Sequence, residues 1–338
     1  MEIATMKKLT ATLAALALTL TLGARRLPLI FETDMGNDID DALALDILYR
    51  YHRQRDIRLM AVMLNKQGEW PPRFIDILNT WYRLPHTPIG LPPRSQDATP
   101  EDDNNYTQTV SRQTGADGKP LYPRTVADCR KLPAATDLYR KLLAKARDHS
   151  VTIVSVGFST NLAHLLDTPP DRHSPLDGRQ LVGRKVSRLV VMAGHIADTT
   201  YHEFNVVGDL PACQHLFRDW PTDIYVSPFE LGLQVPYPAR SILEDFGWAP
   251  HHPVVDAYKA YLPQLEDRPS WDLTAALFAV EPRSDFSVSP PGTLTVTDQG
   301  ATHFHPHPGG RHHTLSATPE QARRILERLV QKTTSPLR

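Results

Sequence analysis

With 338 residues and a formal net charge of −1, the chain is long enough for one large α/β domain or two small ones. Its balanced charge argues against a nucleic-acid-binding surface. The chain has only two cysteines, Cys129 and Cys213. They either pair in a disulfide or are buried as free thiols, and their separation in sequence does not decide between these alternatives.

The first residues have the features of a secretory signal peptide. Two lysines precede the apolar run 9–22, which ends in Gly23-Ala24. This run is shorter than the roughly 20 apolar residues that a membrane span needs. We therefore expect residues 1–24 to be cleaved off near Ala24, leaving a single exported domain, 25–338, that is periplasmic or secreted. No later segment is expected to cross a membrane.

Short apolar runs alternate with helical patterns along the rest of the chain. This alternation predicts an α/β fold with a mainly parallel central sheet and helices on both faces, with ligands bound beyond the carboxyl ends of the strands. The polar stretch 93–134 predicts a long surface excursion, either a lid or an oligomer contact. Alternation over 285–316 predicts C-terminal β-hairpins. The predicted strands are 29–33, 58–64, 88–91, 151–156, 187–193 and 222–227, and the predicted helices are 39–53, 71–83, 135–148, 159–167, 209–218, 252–265, 271–280 and 318–332.

Four carboxylates crowd the point where the first predicted strand meets the first predicted helix. They are Asp34, Asp38, Asp40 and Asp41. Such like charges repel one another strongly in a low-dielectric interior. A helix N-terminus favours one or two acids, which does not account for four. A hard divalent cation bound by oxygen ligands does, so we favour a metal-centred site over capping alone.

Further polar segments follow the later strands, and as a set they resemble the inosine/uridine-preferring nucleoside hydrolase family. The similarity runs from about residue 29 to the C-terminus, with the motifs in the family's order. These motifs are Asp34, Gly36 and Asp40-Asp41-Ala42, then Gly157–Asn161, Met192–Gly194, Glu203-Phe204-Asn205 and Asp272.

The resemblance implies a nucleoside hydrolase-like fold and calcium-dependent hydrolysis of the N-glycosidic bond of a ribonucleoside or related riboside. It also implies a small-molecule substrate and a homodimer or homotetramer. The alternative is a non-catalytic, exported nucleoside- or sugar-binding protein on the same fold. A protein that binds a nucleoside but does not turn over a riboside would be the binding protein and not the hydrolase.

The resemblance also implies roles for single residues. Asp34 would bind the metal and take the proton from the attacking water. The metal would further be held by Asp41, Asp272 and the backbone carbonyl of Val156. The sugar would be bound by Asp40, Asn65, Glu203 and Asn205, with Met192 against it.

One departure from the family pattern lies in the acid cluster. The family's opening motif has two residues fewer than the segment 37–39 provides. Asp38 is therefore an added metal ligand, an outer acid or the N-cap of the first helix, and we favour the cap because Asp is a preferred cap residue.

The second departure is Trp271, which stands where base-nonspecific members carry the histidine that protonates the leaving base. An indole donates hydrogen bonds but is not an acid near neutral pH. Three explanations remain open: Trp271 stacks on the base, the substrate has a better leaving group, or another side chain is the acid. The candidate acids are His195, Tyr201 and His202, of which we favour His202.

Several residues also have purely structural interpretations. Asn161 is expected to cap its helix. Glu203 is harder to explain in this way, because a buried carboxylate should be paired or functional. The histidines 303, 305, 307, 312 and 313 lie among prolines and glycines, which predicts a solvated loop rather than a zinc site.

Overall fold

The computed structural model describes residues 26–93, 105–282 and 285–337, so the predicted signal peptide lies outside the described part. The helices are α1 (Asp40–Arg53), α2 (Trp70–Trp81), α3 (Tyr106–Arg112), α4 (Ala135–Lys145), α5 (Thr160–Leu166), α6 (Gly178–Lys185), α7 (Phe204–Val207), α8 (Leu210–Asp219), α9 (Phe229–Leu233), α10 (Ala239–Glu244), α11 (Pro253–Tyr261), α12 (Trp271–Val280) and α13 (Pro319–Thr334), with a 3₁₀ turn at Cys129–Lys131. In the described ranges, no helix combines the length and the apolar character that crossing a bilayer requires.

The strands are β1 (Leu27–Thr33), β2 (Ile57–Leu64), β3 (Ile89–Gly90), β4 (Val151–Ser155), β5 (Val186–Met192), β6 (Asp223–Ser227), β7 (Pro236–Tyr237), β8 (Arg268–Pro269), β9 (Ser287–Val288), β10 (Gly292–Val296), β11 (Thr302–Pro306) and β12 (His312–Ser316). The main sheet has the order β11-β10-β12-β6-β5-β4-β1-β2-β3, with β9 added beside β12. Within this sheet all pairings from β12 to β3 are parallel, and β9, β10 and β11 pair antiparallel. The strands β7 and β8 form a separate antiparallel pair. The α/β fold with a mainly parallel sheet is therefore confirmed.

The central strand β1 is the reason that the acid cluster lies mid-sheet. Its residues Leu29, Ile30 and Phe31 have no solvent exposure, as expected of a parallel strand covered on both faces. It lies between β4 and β2, so that its carboxyl end meets theirs at one edge. Asp34 follows this strand directly.

Helix α12 is the second element that builds this edge. Its residues from Asp272 to Ala279 are all buried, as is typical of an apolar helix packed on every side. It packs against α1 and across β5. Alanines on both helices, Ala275 and Ala276 on α12 and Ala42 on α1, are fully buried in the same apolar core. Small side chains allow two helices to approach closely, which brings the N-termini of α1 and α12 together.

The C-terminal region departs in part from the expected hairpins. The hairpin of β10 and β11 is present, but β12 pairs in parallel with β6 and so extends the main sheet. The histidine-rich segment is consequently ordered in strands. His312 is buried, and its Nδ1 accepts a hydrogen bond from the Leu294 backbone N–H at 2.9 Å, so the prediction of a solvated loop is wrong for this residue.

The stretch 93–134 is not entirely superficial where it is described. Helix α3 packs against α2 and α11, and Tyr106 is fully buried. The Tyr106 hydroxyl accepts a hydrogen bond from the Gly36 N–H and donates one to the Asp38 carbonyl, both at 2.9 Å. The stretch therefore supports the acid-bearing loop from outside. Cys129 and Cys213 are separate buried thiols.

His252 offers a test of the packing around α11 by pH. Its ring is enclosed by aromatic rings, among them Trp81 and Phe246, at 5.0–5.3 Å between centroids. Burial lowers the pKa of His252 from 6.5 to about 3, and the nearby Arg50 adds to this effect. Below pH 6.5 the unfolded chain therefore takes up a proton that the folded chain excludes, so stability is lost as the pH falls.

We expect this one group to cost about 2 kcal/mol of unfolding free energy between pH 6.5 and pH 5. Urea unfolding at several pH values should show a shallower loss in His252→Asn, which keeps a side-chain acceptor for the helix, than in the wild type. The exposed His86→Asn serves as the control. Identical pH slopes in the wild type and His252→Asn would contradict a neutral buried ring.

Candidate functional site

Three carboxylates from two helix N-termini form the centre of the site. Asp40 and Asp41 lie in the first turn of α1, and Asp272 lies in the first turn of α12. All three are buried, and each offers an oxygen within 4.8 Å of the others. The Asp272 backbone N–H donates to Asp40 Oδ2 at 2.9 Å, and the Thr33 hydroxyl donates to Asp41 Oδ1.

The electrostatics of this group are those of a cation site. Burial, followed by the charge of neighbouring carboxylates, raises the pKa of Asp40, Asp41 and Asp272 well above the ordinary value. Within the described ranges, no Lys or Arg forms an ion pair with any of the three. Buried carboxylates need a positive partner, and a set of hard oxygen donors fits calcium or magnesium. The residues present therefore fit a divalent cation.

Asp34 lies beside this group and is not one of its three members. It follows β1, and its Oδ2 accepts a hydrogen bond from Asn37 Nδ2 at 2.5 Å. Burial raises the pKa of Asp34 to about 6, although Asn37 and Lys66 act against the shift. The structure thus brings Asp40, Asp41 and Asp272 together and leaves Asp34 at their edge.

Gly157 explains how Asp34 and Asn65 approach each other. A Cβ at position 157 would lie 2.6 Å from the Asp34 backbone N and 2.7 Å from both Asp34 Oδ1 and Asn65 Oδ1. Only glycine leaves room for these groups at the end of β4. The Asn65 side-chain oxygen is buried, and within the described residues it has no hydrogen-bond partner. An unpaired buried acceptor of this kind calls for a donor from a ligand or water.

The wall beyond β4 and β5 is built on Asn205. Its Nδ2 donates to the Val156 carbonyl at 3.2 Å and to the Met192 carbonyl at 3.3 Å, which ties the two strand ends together. Met192 Sδ lies 3.1 Å from the same nitrogen. The predicted site residues Val156, Met192 and Asn205 are therefore in direct contact.

The burial of the Glu203 carboxylate has a structural cause that the sequence did not reveal. Glu203 is the N-cap of α7, and its carboxylate accepts hydrogen bonds from the backbone N–H groups of Asn205 at 2.9 Å and Gly194 at 3.0 Å. Burial raises the pKa of Glu203 to about 7, while these N–H groups oppose the shift. Its burial alone is thus not evidence of a ligand role.

Two capping predictions are wrong for the same reason, a tertiary partner. Asn161 is not the N-cap of α5, because Ser159 occupies that position and Asn161 Nδ2 donates to the Leu64 carbonyl at 2.8 Å. Asp38 is not the N-cap of α1, which is Ile39. The carboxylate of Asp38 instead forms an ion pair with Arg268, whose Nε lies 3.0 Å from Oδ1.

Trp271 is fixed from several sides. Its indole N–H donates to the Phe229 carbonyl at 3.0 Å, and its ring stacks on that of Phe229 with centroids 5.1 Å apart. The Arg268 guanidinium lies over the indole at 5.2 Å. A Cβ on Gly232 would come within 2.1 Å of Trp271 Cδ1, so glycine is needed there. His202, in contrast, is exposed.

Sequence reasoning missed Thr33, Arg268 and Gly232. Thr33 has the sequence pattern of an ordinary strand residue. Only its position directly before Asp34 indicated that it could belong to the site. Arg268 and Gly232 lie far from the acid cluster in sequence, and nothing in the chain predicted that they contact Asp38 and Trp271 respectively.

A parallel sheet with buried carboxylates at the carboxyl ends of its strands is typical of α/β proteins that bind a ligand at that edge, and the clustered oxygens have the chemistry to hold a cation. Over residues 29–321 the chain matches the inosine-uridine preferring nucleoside hydrolase family, and it belongs to that family.

Individual relatives are more distant. The chain is 28% identical to a pyrimidine-specific ribonucleoside hydrolase of Enterobacter sp. (strain 638) over 196 residues, 57% of this chain and 56% of that protein. It therefore spans little more than half the length of this curated relative. A purine-preferring ribonucleoside hydrolase from Gardnerella vaginalis shares the fold, with a TM-score of 0.67 and 16% identity over 91% of this chain and 99% of that one. The type III effector XopQ in complex with adenosine diphosphate ribose has a TM-score of 0.62 and 16% identity over 96% and 99%.

The crowding at Gly157 predicts that even one methyl group there is destabilising. We expect Gly157→Ala to lower the unfolding free energy by about 1–3 kcal/mol, because Asp34 or Asn65 must move. Gly247→Ala is the matched control, since a Cβ there meets nothing within 4 Å. Urea unfolding measures both variants. Equal stability of the two would show that the strand end has more room than its atoms suggest.

Proposed function

We propose that the chain is an N-glycosyl hydrolase that uses calcium to cleave the N-glycosidic bond of a ribonucleoside or a related riboside. The observation that carries this proposal is the buried group Asp40, Asp41 and Asp272, with Asp34 beside it at the end of β1. Membership of the nucleoside hydrolase family supports the reaction class.

The chain's own oxygens would hold the ion. By resemblance to the family the ligands are Asp34, Asp41, Asp272 and the Val156 carbonyl, and the position of Asp40 makes it a fifth candidate. A bound calcium ion would supply a fixed and partly acidified water. The Thr33 hydroxyl orients the Asp41 carboxylate, and the Asp272 backbone N–H orients that of Asp40.

Asp34 has the properties of the general base. With a pKa raised to about 6 by burial, its carboxylate is mostly ionised at neutral pH and remains a useful proton acceptor. Asn37 holds one carboxylate oxygen at 2.5 Å, which fixes the orientation of the group. Asp34 would take a proton from the attacking water while the water oxygen forms its bond to the anomeric carbon of the sugar.

The sugar would be recognised by groups that line the strand ends. The unpaired Asn65 Oδ1 is suited to accept a hydrogen bond from a sugar hydroxyl. By resemblance to the family, Glu203 and Asn205 would also bind the sugar, and Met192, which Asn205 contacts, would lie against it. Buried carboxylates next to the sugar would also stabilise the positive charge that develops on its ring. A deoxyribose would leave such polar groups unpaired, so we expect strong preference for the ribose.

A second candidate function is binding of a nucleoside or sugar ligand without turnover. The observation in its favour is Trp271, which stands where base-nonspecific family members carry a proton-donating histidine. The effector XopQ, whose fold is similar, forms a complex with adenosine diphosphate ribose, a ligand that contains ribose. This candidate keeps the sugar site and dispenses with protonation of the leaving group.

Two properties of the whole protein belong to the same proposal. We propose that the chain is exported after cleavage near Ala24, because residues 1–24 have the charge and apolar pattern of a signal peptide. We further propose a homodimer or homotetramer, on the basis of the family resemblance alone. Both pyrimidines and purines are candidate leaving bases, since the named relatives include pyrimidine-specific and purine-preferring enzymes.

The reaction is tested with p-nitrophenyl riboside in the presence of calcium. This leaving group needs no protonation, so turnover depends only on the metal, the general base Asp34 and the residues that bind the sugar. We expect the wild type to release p-nitrophenol and Asp34→Asn to be at least about 10²-fold slower in kcat, while keeping its fold. Asp56→Asn, at an exposed position, is the control. No turnover by the wild type, together with saturable nucleoside binding, would favour the binding protein.

The metal centre is tested by thermal unfolding of Asp41→Asn with calcium or with a chelator. In the chelator we expect the variant to melt above the wild type, because one of the repelling buried charges is gone. In millimolar calcium we expect the wild type to gain stability and the variant to gain much less. An equal calcium-induced shift in both proteins would remove Asp41 from the metal site.

A further inference from the structure

We propose that His195 protonates the leaving group. It would perform the task of the histidine that other family members carry at the position of Trp271. This inference rests on the proposed hydrolase function and adds its missing acid. Among the three candidate acids from the sequence, the structure favours a different histidine from the one that sequence reasoning preferred.

The first argument is the position of His195 between two walls of the site. It directly follows Met192-Ala193-Gly194, whose Gly194 N–H is bound by Glu203 at 3.0 Å. On its other side the imidazole lies 5.5 Å from the ring of Phe229, which in turn stacks on Trp271 beside Asp272. His195 thus lies between the end of β5 and the aromatic rings of Phe229 and Trp271.

The second argument is that the backbone of His195 is fixed. Gly194 has a φ of +75°, which turns the chain sharply at the end of β5, and a Cβ there would meet Thr302 Oγ1 at 2.7 Å. The Thr302 hydroxyl accepts from the His195 N–H at 3.1 Å and donates to the His195 carbonyl at 3.2 Å. A general acid needs such fixed placement, because proton transfer depends on distance and direction.

The third argument is that the protein contacts the ring through Nδ1, which leaves Nε2 for a substrate. Its Nδ1 accepts a hydrogen bond from the Asp198 backbone N–H at 2.9 Å. The same atom lies 3.4 Å from Glu230 Oε2. Glu230 is itself held by the N–H groups of Ile196 and Ala197 at 3.0–3.2 Å. These contacts orient the ring through Nδ1, and within the described residues Nε2 has no hydrogen-bond partner, so Nε2 is the nitrogen that a substrate would meet.

The fourth argument concerns the surroundings of the ring. Its side chain is only 14% exposed. Tyr201 lies against it at 5.3 Å between centroids and stacks on Phe229 at 4.7 Å. A wall of this kind suits the flat, partly apolar face of a nucleobase. His202 is exposed, and the described structure gives it no comparable enclosure.

The step is balanced in protons and bonds. The bond between the anomeric carbon and the base nitrogen breaks, and its electron pair stays on that nitrogen, which takes the proton from His195 Nε2. The water oxygen bonds to the anomeric carbon and gives a proton to Asp34. His195 is left neutral and Asp34 protonated, and exchange of one proton with solvent restores both.

The test compares a nucleoside with p-nitrophenyl riboside, using the calcium-loaded full chain. We expect His195→Gln to lower kcat/KM for inosine or uridine by about 10²- to 10⁴-fold, with little change for p-nitrophenyl riboside. His202→Gln is the matched control and should change neither. Melting temperatures of the variants check that they are folded.

Each contrary result has a distinct meaning. Equal losses on both substrates in His195→Gln would make His195 a positioning residue and overturn the proposal. Unchanged nucleoside turnover in that variant would do so as well, as would a wild type that cleaves only the nitrophenyl substrate. If the folded wild type cleaves neither substrate, the hydrolase function itself fails, and the inference about His195 fails with it.

Discussion

The structure depends on one constraint, the burial of several carboxylates between the N-termini of two packed helices. Asp40 and Asp41 on α1 face Asp272 on α12, and neighbouring charge adds to burial in raising the pKa of each. The partial positive charge at each helix N-terminus offsets a part of this cost. It does not offset three or four buried charges, so the arrangement is stable in its ionised form only with a cation present.

The apolar elements of the fold hold these carboxylates in position. Helix α12 is buried along its length, and its alanines let it lie close to α1 across β5. The strand β1 is equally buried, so Asp34 reaches the same edge of the sheet without exposure to solvent. Polar chemistry at the centre of the molecule is thus positioned by apolar packing behind it.

The sequence predicted the architecture well and the site in part. Apolar runs and helical periodicity located β1, β4 and α12 to within two residues, because local pattern and tertiary burial agree there. Asn161 and Asp38 were misjudged because distant groups, the Leu64 carbonyl and Arg268, bind side chains that local preference assigns to caps. The family resemblance already placed Asp272 at the metal with Asp41, but the direct contact of Asp40 with Asp272 follows from how closely two helices pack, which a local pattern does not reveal.

The two departures from the family pattern, Asp38 and Trp271, are linked because both side chains contact Arg268. Asp38, in the lengthened opening loop, binds Arg268, and the guanidinium of Arg268 lies over Trp271 at 5.2 Å. Phe229 stacks on the same indole, and its carbonyl accepts the indole N–H. Trp271 therefore carries an ion pair at the rim of the carboxylate group and has neither the chemistry nor the freedom of a proton donor. If the leaving group is protonated by this chain, the proton must come from another wall of the site, and the end of β5 presents a histidine there.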